Sequence, residues 1–560
     1  MALVTATVPG DPFGMSFLGL ATVTAATAVA CAALPSLASA ADYCVYPNES
    51  CGTNNVKTLQ SALNVAAGTD EPDRILLGTH TYAAPAGQSP FTYAKNSPLE
   101  IVGKGRGQTV LTAQPNAAGG VVSLEGPAGT TMHDLTVHIP REVADSFTGL
   151  FTSARARRVE VTEDPVQTHP HYGAALSEGG LLEDSSVTLD IGDNTTGVIL
   201  ANGGPAAGPS VVRGSVIRAE NGARLMGPSV LERSRVTAGS LPVLAQGSDI
   251  SITNSLLVLW ANVGTVLRAQ TAVGWDTDVT ADGLTVYAPP YQPDTGGIAV
   301  STAPDPSRSV HLSLSNSIVR GYTPLLASAG VGGTGTISAL YSDYDSSQSI
   351  PLGPGAKITE SHVSNVGSAG FDEALGHEYS LLPDSPLIDA GDPASPQGLD
   401  LNGDPRVADA DSDGIARRDL GAFELQPAQA GPPSGGGPSG GPAADTQAPL
   451  ISSFRSTRSA FAVARAATPT AARARRGTIL RYTLSENARV TIKVKRRSGN
   501  RYRTVGTLRR GGLEGGNRIR FTGRIGRRAL RAGRYRAVIR ATDAAGNRSA
   551  PSLTRFRIVR

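Results

Sequence analysis

The stretch Asn254-Ser-Leu-Leu257 is one copy of a phrase that returns through the middle of the chain. A small or polar residue is followed by a few β-branched or apolar residues and then by Gly, Ala, Ser and Pro. Eight copies are present, beginning at Asp134, Arg158, Ser186, Gly214, Arg233, Asn254, Gly283 and Asn316, with spacings of 24, 28, 28, 19, 21, 29 and 33 residues. Self-similarity at a period of ~20–30 residues is typical of stacked repeats. The runs are too short for helical repeats, so a parallel β-helix is predicted.

Two groups of residues also resemble known proteins. The phrases at Asn254 and Asn316 are similar to rungs of the right-handed parallel β-helix proteins, the pectate-lyase-like superfamily. The run 378–391, EYSLLPDSPLIDAG, with Asp400-Leu-Asn-Gly-Asp-Pro-Arg406 and Asp419-Leu-Gly-Ala-Phe-Glu424, is similar to the end of bacterial secreted β-helix proteins of the choice-of-anchor type. The resemblance covers about two thirds of the chain and implies a fold more directly than a reaction.

The N-terminus predicts export. An almost wholly apolar stretch from Phe17 to Leu34 is followed by Ala38-Ser39-Ala40, a small-x-small site suited to signal peptidase. Initiation at Met15 would give a leader of ordinary length. A retained membrane anchor, or a lipoprotein site at Cys31, are the alternatives.

The mature chain would keep only Cys44 and Cys51, seven residues apart, which in an exported protein predicts one disulfide. The sequence shows no second apolar run long enough to span a bilayer and no C-terminal sorting signal. We therefore expect an extracellular monomer, secreted or loosely associated with the cell surface.

Charge divides the chain into two parts. From Asp445 to Arg560 there are 29 Lys and Arg against 4 Asp and Glu, a balance of +25, whereas the other 444 residues have 21 against 43, a balance of −22. Two structural parts of opposite net charge are therefore expected.

The predicted organisation is all-β, with a right-handed parallel β-helix followed by a small antiparallel β-sandwich. The N-terminal cap should contain a helix with Val56, Leu59, Leu63 and Ala66 on one face, capped by Asn54 or Asn55. The predicted segments are a signal peptide (1–40), a disulfide loop with capping helix (41–70), the β-helix with an acidic C-terminal closure (71–426), a Gly/Pro/Ser linker (427–446) and a basic sandwich (447–560). The phrases Gly533-Arg-Tyr535 and Asp543-Ala-Ala-Gly-Asn547 resemble bacterial immunoglobulin-like accessory domains.

An acidic pattern in the closure predicts Ca²⁺. Asp409, Asp411 and Asp413 alternate before Gly414, which is a D-x-D-x-D-G pattern of hard oxygen ligands. Asp419 would serve as the last ligand of a loop shortened by one residue, and Asp400, Asn402 and Asp404 could add a second site or complete the first. Such an ion would be structural, and a hydrated acidic turn without metal is the alternative.

Catalysis is a second possibility that the sequence leaves open. The resemblance implies that a lyase would need acidic Ca²⁺ ligands with an Arg or Lys base, and a hydrolase needs nearby carboxylates. The weak candidates are Asp276, Asp278 and Asp282 beside Trp275, and Asp343 with Asp345. Each group is more typical of a solvated turn.

The first functional hypothesis is therefore binding of an extracellular polysaccharide or an anionic envelope polymer. The basic domain would be an accessory adhesion module, and its spread-out Arg residues do not indicate specific nucleic-acid binding. A polysaccharide lyase or glycoside hydrolase acting on an acidic polysaccharide is the alternative, and a purely structural stalk fits the same sequence.

Overall fold

The chain forms two compact units. A computed structural model describes residues 40–366, 379–426 and 448–559, apart from gaps at 49, 85–89, 116, 142, 144–145, 165–169, 192–193, 202–207, 290–291, 383–384, 410–413, 415, 463–476, 486–487, 499–500, 513–514, 526–527 and 543–546. One unit comprises residues 1–370 and 383–428, and the other comprises 371–382 and 429–560. The predicted signal peptide, apart from Ala40, and the whole of the predicted linker lie outside the described residues, so both stay predictions.

The N-terminal end of the first unit is covered by a small cap. Strands β1 (Asp42–Val45) and β2 (Asn55–Val56) pair in parallel, and the predicted disulfide between Cys44 and Cys51 is confirmed. Helix α1 (Leu59–Ala66) follows, with the apolar face Leu59, Ala62, Leu63 and Ala66 buried. Its N-cap is Thr58, whose hydroxyl accepts the Ser61 amide, so the prediction of Asn54 or Asn55 was wrong. Val56 lies in β2.

In the described part of the solenoid there are 29 further strands. The first fifteen are β3 (Asp73–Leu76), β4 (His80–Ala83), β5 (Phe91–Ala94), β6 (Leu99–Val102), β7 (Thr109–Thr112), β8 (Gly120–Glu125), β9 (Thr131–Ile139), β10 (Phe147–Thr152), β11 (Arg155–Glu163), β12 (His171–Leu176), β13 (Leu181–Glu183), β14 (Ser186–Thr188), β15 (Thr195–Leu200), β16 (Ser210–Arg213) and β17 (Val216–Met226). The remaining ones are β18 (Ser229–Glu232), β19 (Arg235–Gln246), β20 (Ile250–Thr253), β21 (Leu256–Leu259), β22 (Gly264–Gln270), β23 (Thr277–Asp282), β24 (Thr285–Tyr287), β25 (Thr295–Ser301), β26 (Ser309–Ser315), β27 (Ile318–Arg320), β28 (Thr323–Ser328), β29 (Thr334–Leu340), β30 (Ile350–Leu352) and β31 (Ala356–Ser361). Short 3-10 turns cover Gly52–Asn54 and Ser346–Gln348.

Every described pairing between these named strands is parallel, which confirms the β-helix. Each strand bonds to its counterpart one turn of the chain later, so the strands stack into three faces. The first sheet includes β20, β23, β26, β29 and β31, the second includes β21, β24 and β27, and the third includes β22, β25, β28 and β30. Inward side chains such as Val279, Leu312 and Ile337 fill one continuous core.

The recurring phrase marks the corner between the first and second sheets. Its first residue has a left-handed backbone in seven of the eight copies, with φ between 45° and 63°. Asn, Asp and Gly tolerate this conformation better than other residues, which explains their frequency there. The third copy is displaced: the corner residue is Asp184, with φ 48°, and not Ser186.

A ladder of buried serines follows that corner on consecutive rungs. The amide nitrogens of Ser185, Ser215 and Ser234 donate to the Oγ of Ser215, Ser234 and Ser255 over 3.2, 3.2 and 3.1 Å. Each of these hydroxyls also donates to the carbonyl two residues before it, as Ser234 does to Glu232 over 2.8 Å. The ladder satisfies buried amides that the sheets leave unpaired.

In the part of the second unit that the structure describes, two larger sheets pack together and a third sheet consists of two short strands. The strands of this unit are β32 (Ile451–Ser456), β33 (Ala460–Ala462), β34 (Thr478–Leu484), β35 (Ala488–Ser498), β36 (Arg501–Gly512), β37 (Gly515–Phe521), β38 (Arg524–Ile525), β39 (Arg528–Ala529), β40 (Gly533–Thr542) and β41 (Ser552–Val559). A three-stranded sheet, β32-β34-β37, and a five-stranded sheet, β33-β41-β40-β35-β36, share a core in which Phe521 contacts Phe556 at 5.6 Å between ring centroids. The strands are antiparallel except for the β33–β41 pair. An immunoglobulin-like topology stays a prediction.

In the part of the chain that the structure describes, no helix has the length and apolar character needed to cross a bilayer.

Candidate functional site

The acidic segment 385–425 lies along the flank of the solenoid. The sequence predicts that this segment closes the C-terminal end of the solenoid, but its residues bond instead to the outer side of the rungs that begin at Arg233, Asn254, Gly283 and Asn316. We call this segment the strap. Arg235 marks one end of the contact, since its Nη2 donates to Asn402 Oδ1 over 2.9 Å and its guanidinium lies 5.2 Å from the Phe423 ring centroid.

Asp282 is the centre of the strap's attachment. Arg418, which is nearly buried, donates from Nη1 to Asp282 Oδ2 over 2.9 Å and from Nη2 to Asn254 Oδ1 over 3.3 Å. Asn316 donates to the other oxygen of Asp282 over 2.7 Å and accepts the Asp392 amide over 2.7 Å. The carboxylate that the sequence offered as a catalytic candidate is therefore bonded on both oxygens.

The strap also covers apolar side chains that point outward from the second sheet. Leu256 and Ile318 occupy outward positions but have exposures of 4% and 0%. Gly421 packs directly on Ile318, and the Ala422 amide donates to Thr285 Oγ1 over 2.9 Å. These outward apolar residues are explained by burial beneath the strap.

Two of the predicted Ca²⁺ ligands bind the strap's own backbone. Asp400 accepts the amides of Asn402, Asp404 and Glu424 over 2.8, 2.8 and 3.0 Å. Asp419 accepts the amides of Asp389 and Leu425 over 2.9 and 2.7 Å. Carboxylates occupied in this way fit a role as internal caps better than a role as metal ligands.

The remaining part of the Ca²⁺ loop is only partly described. Asp409 accepts the Gly414 amide over 3.1 Å, and its Oδ1 is buried without a hydrogen bond among the described residues. Asp411 and Asp413 lie outside the described residues. No group of three or more possible metal ligands occurs within the described part of the chain. Ca²⁺ binding stays a prediction, with Asp409 as the described residue that fits it best.

Burial perturbs several ionisable groups inside the strap. The pKa of Glu424 is raised to about 9, mainly by burial and secondly by the nearby charge of Asp419. Burial also raises the pKa of Asp419 to about 6 and lowers the pKa of Arg406 to about 10. Arg406 donates from Nη2 to the carbonyls of Asp419 and Gly421 over 3.0 and 2.9 Å. These groups hold the strap together and face no cleft in the described structure.

Asp343 and Asp345 have structural partners. Asp343 is fully buried, forms an ion pair with Arg320, and accepts the Ser364 hydroxyl and the Val366 amide over 2.6 and 3.0 Å. Asp345 caps the turn that follows it by accepting the Ser347 amide over 3.1 Å. Asp343 therefore offers no accessible acid.

Asp278 points outward from the first sheet and, like Asp276, is exposed. It lies opposite His311 on β26, and the same row continues with Thr336 on β29 and Lys357 on β31. His311 Nδ1 and Thr336 Oγ1 are 2.5 Å apart. This row places an acid, an imidazole, a hydroxyl and an ammonium side by side on the surface.

A second outward row lies beside it and consists entirely of hydroxyl groups. Thr280, Ser313, Ser338 and Thr359 are in register on β23, β26, β29 and β31, and all four are exposed. We call the two rows together the polar face. The hydroxyl row was not predicted from the sequence, although the alternation of small hydroxyl and apolar residues in 309–315 could have indicated it.

Trp275 stands at the edge of the polar face and has an exposure of 65%. Its loop is fixed to the next rung on both sides, because the Gly274 amide donates to Asp305 Oδ2 over 3.1 Å and the Ser309 amide donates to Asp276 Oδ1 over 2.8 Å. Hydrogen bonds from Ser307 and then from Gly274 hold the pKa of Asp305 below its usual value. The loop that carries the exposed indole is thus bonded to the next rung on both sides of Trp275.

A second group of exposed aromatic residues lies at the corner between the second and third sheets. Trp260 and Tyr322 have exposures of 54% and 45%, and Arg218 lies 5.7 Å from the Trp260 ring centroid. Two cavities, of about 550 and 290 Å³, occur instead at the N-terminal end beside Asp42. Neither includes a residue of the polar face, which is an open surface.

Comparisons with known proteins add little to this geometry. No protein-family model matches the chain, and no curated protein matches it. Among solved structures, it is similar to the catalytic domain of a GH87 α-1,3-glucanase in complex with tetrasaccharides, at 12% identity over 55% of this chain and 67% of that one, with a TM-score of 0.34. It is also similar to the A-modules of the Azotobacter vinelandii mannuronan C-5 epimerases AlgE4 and AlgE6, at 14% and 16% identity over 55% of this chain and 91% of each of those, with TM-scores of 0.25 and 0.22. These values are too low for any activity to be carried over.

Proposed function

We propose that this protein binds an extended extracellular polysaccharide along the polar face of its β-helix. The observation that supports the proposal most strongly is the register of Thr280, Ser313, Ser338 and Thr359 on four adjacent rungs. Parallel strands are spaced by ~4.8 Å, so the face offers the same chemical group repeatedly along one line. A polymer of similar sugar units can satisfy such a row with repeated hydroxyl contacts.

The neighbouring residues supply the other contacts that sugars use. The face of the Trp275 indole can pack against the apolar side of a sugar ring, and its fixed loop limits the entropy lost on binding. Asp278 accepts hydrogen bonds, whereas Lys357 donates them and would favour a sugar carboxylate. Secretion, and an accessory adhesion role for the basic second unit, belong to this proposal.

Binding should be tested by affinity electrophoresis of the full chain in gels containing neutral glucans, xylan, polygalacturonate or alginate. The wild type should be retarded by at least one polymer, and Trp275→Ala should weaken that binding by about tenfold or more. Trp260→Ala is the matched control, because Trp260 is similarly exposed on a different edge, and it should behave as wild type. Absence of retardation by every polymer would exclude the proposal, and loss only in Trp260→Ala would move the site to that edge.

An enzyme acting on an acidic polysaccharide is the second candidate. The observation that favours it is the exposed pair Asp278 and His311 on adjacent strands, two residue types that act as general acids and bases. The same polymers, incubated with the protein with and without chelator, should be followed by reducing-end assay and by the absorbance of unsaturated products. Product formation that is lost in Asp278→Asn would establish catalysis, whereas binding without product supports a binding protein.

A further inference from the structure

The five-stranded sheet of the second unit has one basic face. In β40, the side chains of Tyr535, Ala537, Ile539 and Ala541 are buried, and those between them point away from the core. We call the outward side the basic face, and its cationic residues are Arg489, Lys493, Lys495, Arg534, Arg536, Arg540, Arg555 and Arg557. Alternation therefore collects eight cations on one surface.

The strand register places several of these cations directly opposite one another. Lys495 on β35 faces Arg536 on β40, which in turn faces Arg555 on β41, and Arg534 faces Arg557. Neighbouring strands are only ~4.8 Å apart, and like charges at opposed positions destabilise a sheet. This arrangement is unfavourable unless negative charge lies nearby.

The sheet itself supplies no such charge. Strands β35, β36, β40 and β41 contain no Asp or Glu, and the four acidic residues after position 444 are Asp445, Glu486, Glu514 and Asp543, which all lie between described segments. Among the described residues, none of the eight cations of the basic face forms an ion pair. The guanidinium of Arg536 lies 4.2 Å from the ring centroid of Tyr502 and, within the same described residues, its Nε has no hydrogen-bond partner.

We propose that the basic face binds a linear anionic polysaccharide whose carboxylate or sulfate groups lie between the opposed cations. Arg presents a planar fork that suits such oxyanions, and Lys adds a point charge. Single-stranded nucleic acid is a poorer match because it is bound through stacking aromatic rings, and Tyr502 is already covered by Arg536. This inference deepens the accessory adhesion role in the proposed function, and it assigns that role to one surface and one ligand class.

The test uses the full chain and a triple variant, Lys495→Gln with Arg536→Gln and Arg555→Gln. The control variant, Arg455→Gln with Arg481→Gln and Arg531→Gln, removes the same charge from exposed positions outside the basic face. Binding to polygalacturonate, dextran sulfate, uncharged dextran and single-stranded DNA should be measured at low and at ~1 M salt. We expect the triple variant to bind both anionic polysaccharides about tenfold more weakly than wild type, the control variant to lose much less, and ~1 M salt to abolish the difference.

Three results would overturn the inference. Equal losses of affinity in the triple variant and in the control variant would show that binding depends on total charge and not on the basic face. Tighter binding of DNA than of the polysaccharides would show a different ligand class. A clear fall in the thermal midpoint of the triple variant would show that these cations have partners within the protein, because removal of opposed like charges should leave stability equal or higher.

Binding at the basic face can be distinguished from binding at the polar face by its dependence on salt. Binding there depends on hydrogen bonds and ring stacking, so it should persist at ~1 M salt, where charges are screened beyond ~3 Å. Trp275→Ala should leave the salt-sensitive binding to the basic face unchanged.

Discussion

Arg418 and Asp282, which are 136 residues apart in the chain, form a 2.9 Å ion pair that fixes the strap to the flank of the β-helix. Arg418 has a side-chain exposure of 4% and Asp282 of 23%, so the pair is only partly screened by water. Asn316 and Asn254 complete the hydrogen bonds of the two groups. The acidic segment is therefore a built part of the first unit.

Breaking this pair should loosen the strap. Arg418→Met leaves the Asp282 carboxylate without its ionic partner, and loss of one member of a largely buried pair costs about 2–4 kcal/mol. Hydrogen exchange of residues 387–425 should increase, while exchange in β3 to β12 should not change. Asp345→Asn is the control, because that carboxylate caps a surface turn. Unchanged protection of the strap in Arg418→Met would contradict this account.

Stability of the strap should fall as pH rises. The pKa of Glu424 is about 9 in the folded chain and near 4.5 when unfolded, so between these values the folded state binds more protons than the unfolded state. The stability that the protonated Glu424 contributes is fully present below about pH 4.5 and is lost as pH approaches 9. In that range the free energy of unfolding can fall by about 1.4 kcal/mol per pH unit. Asp419, with a raised pKa of about 6, acts in the same direction.

Glu424→Gln tests this linkage. The amide cannot ionise but can still accept the Asp419 amide hydrogen, which Glu424 Oε2 accepts over 2.9 Å. Protection of the strap should then vary less with pH between 5 and 9, and above pH 8 the variant should be at least as stable as wild type. A variant with the wild-type pH dependence would show that Glu424 is not the responsible group.

The serine ladder should contribute measurably to the solenoid. Ser234→Ala removes the acceptor of the buried Ser215 amide and leaves the Glu232 carbonyl without one donor. An unsatisfied buried amide costs about 1–3 kcal/mol, so urea denaturation should show a loss of that size. Ser313→Ala, on the exposed polar face, should change stability by less than about 0.5 kcal/mol. Equal effects of the two substitutions would exclude a stabilising ladder.

The disulfide should stabilise the N-terminal cap. The two cysteines are seven residues apart in the sequence. Closing a loop of that length lowers the entropy of the unfolded chain and so stabilises the folded state by about 2–3 kcal/mol. Cys44→Ala combined with Cys51→Ala should increase hydrogen exchange in β1 and α1, and the wild type should behave in the same way after reduction. If the double variant still responded to reductant, the effect would come from elsewhere.

The recurring phrase predicted the fold because its first residue must adopt a left-handed backbone at the corner between two strands. A left-handed corner favours Asn, Asp and Gly, although Arg158 and Arg233 also occupy it, and the next residues must alternate between core and surface, so both features are visible in the sequence. The misplaced third copy arose because Ser185 and Ser186 are adjacent, and only the φ of Asp184 distinguishes the corner. The capping helix was found from its apolar spacing, whereas Thr58 was overlooked in favour of two nearby Asn residues.

The candidate site was harder to predict from the sequence than the fold was. Asp278 and Asp282 are four residues apart on one strand and both point outward, yet one is exposed and the other is bonded to Arg418. That difference depends on a segment more than 130 residues away, and no local pattern encodes it. The hydroxyl row likewise exists only once the rung lengths are known, since β23, β26, β29 and β31 bring together residues separated by 21 to 33 positions.

The most direct test of the central claim is the dependence of affinity on ligand length. Oligosaccharides of one to eight units, from a polymer that retards the protein, should be titrated by calorimetry at ~1 M salt. If the ligand lies along the polar face, affinity should rise with each added unit until the chain spans the three intervals between β23 and β31, about 14 Å, and then level off. A single sugar that binds as tightly as the longest oligomer would contradict an extended site on this face.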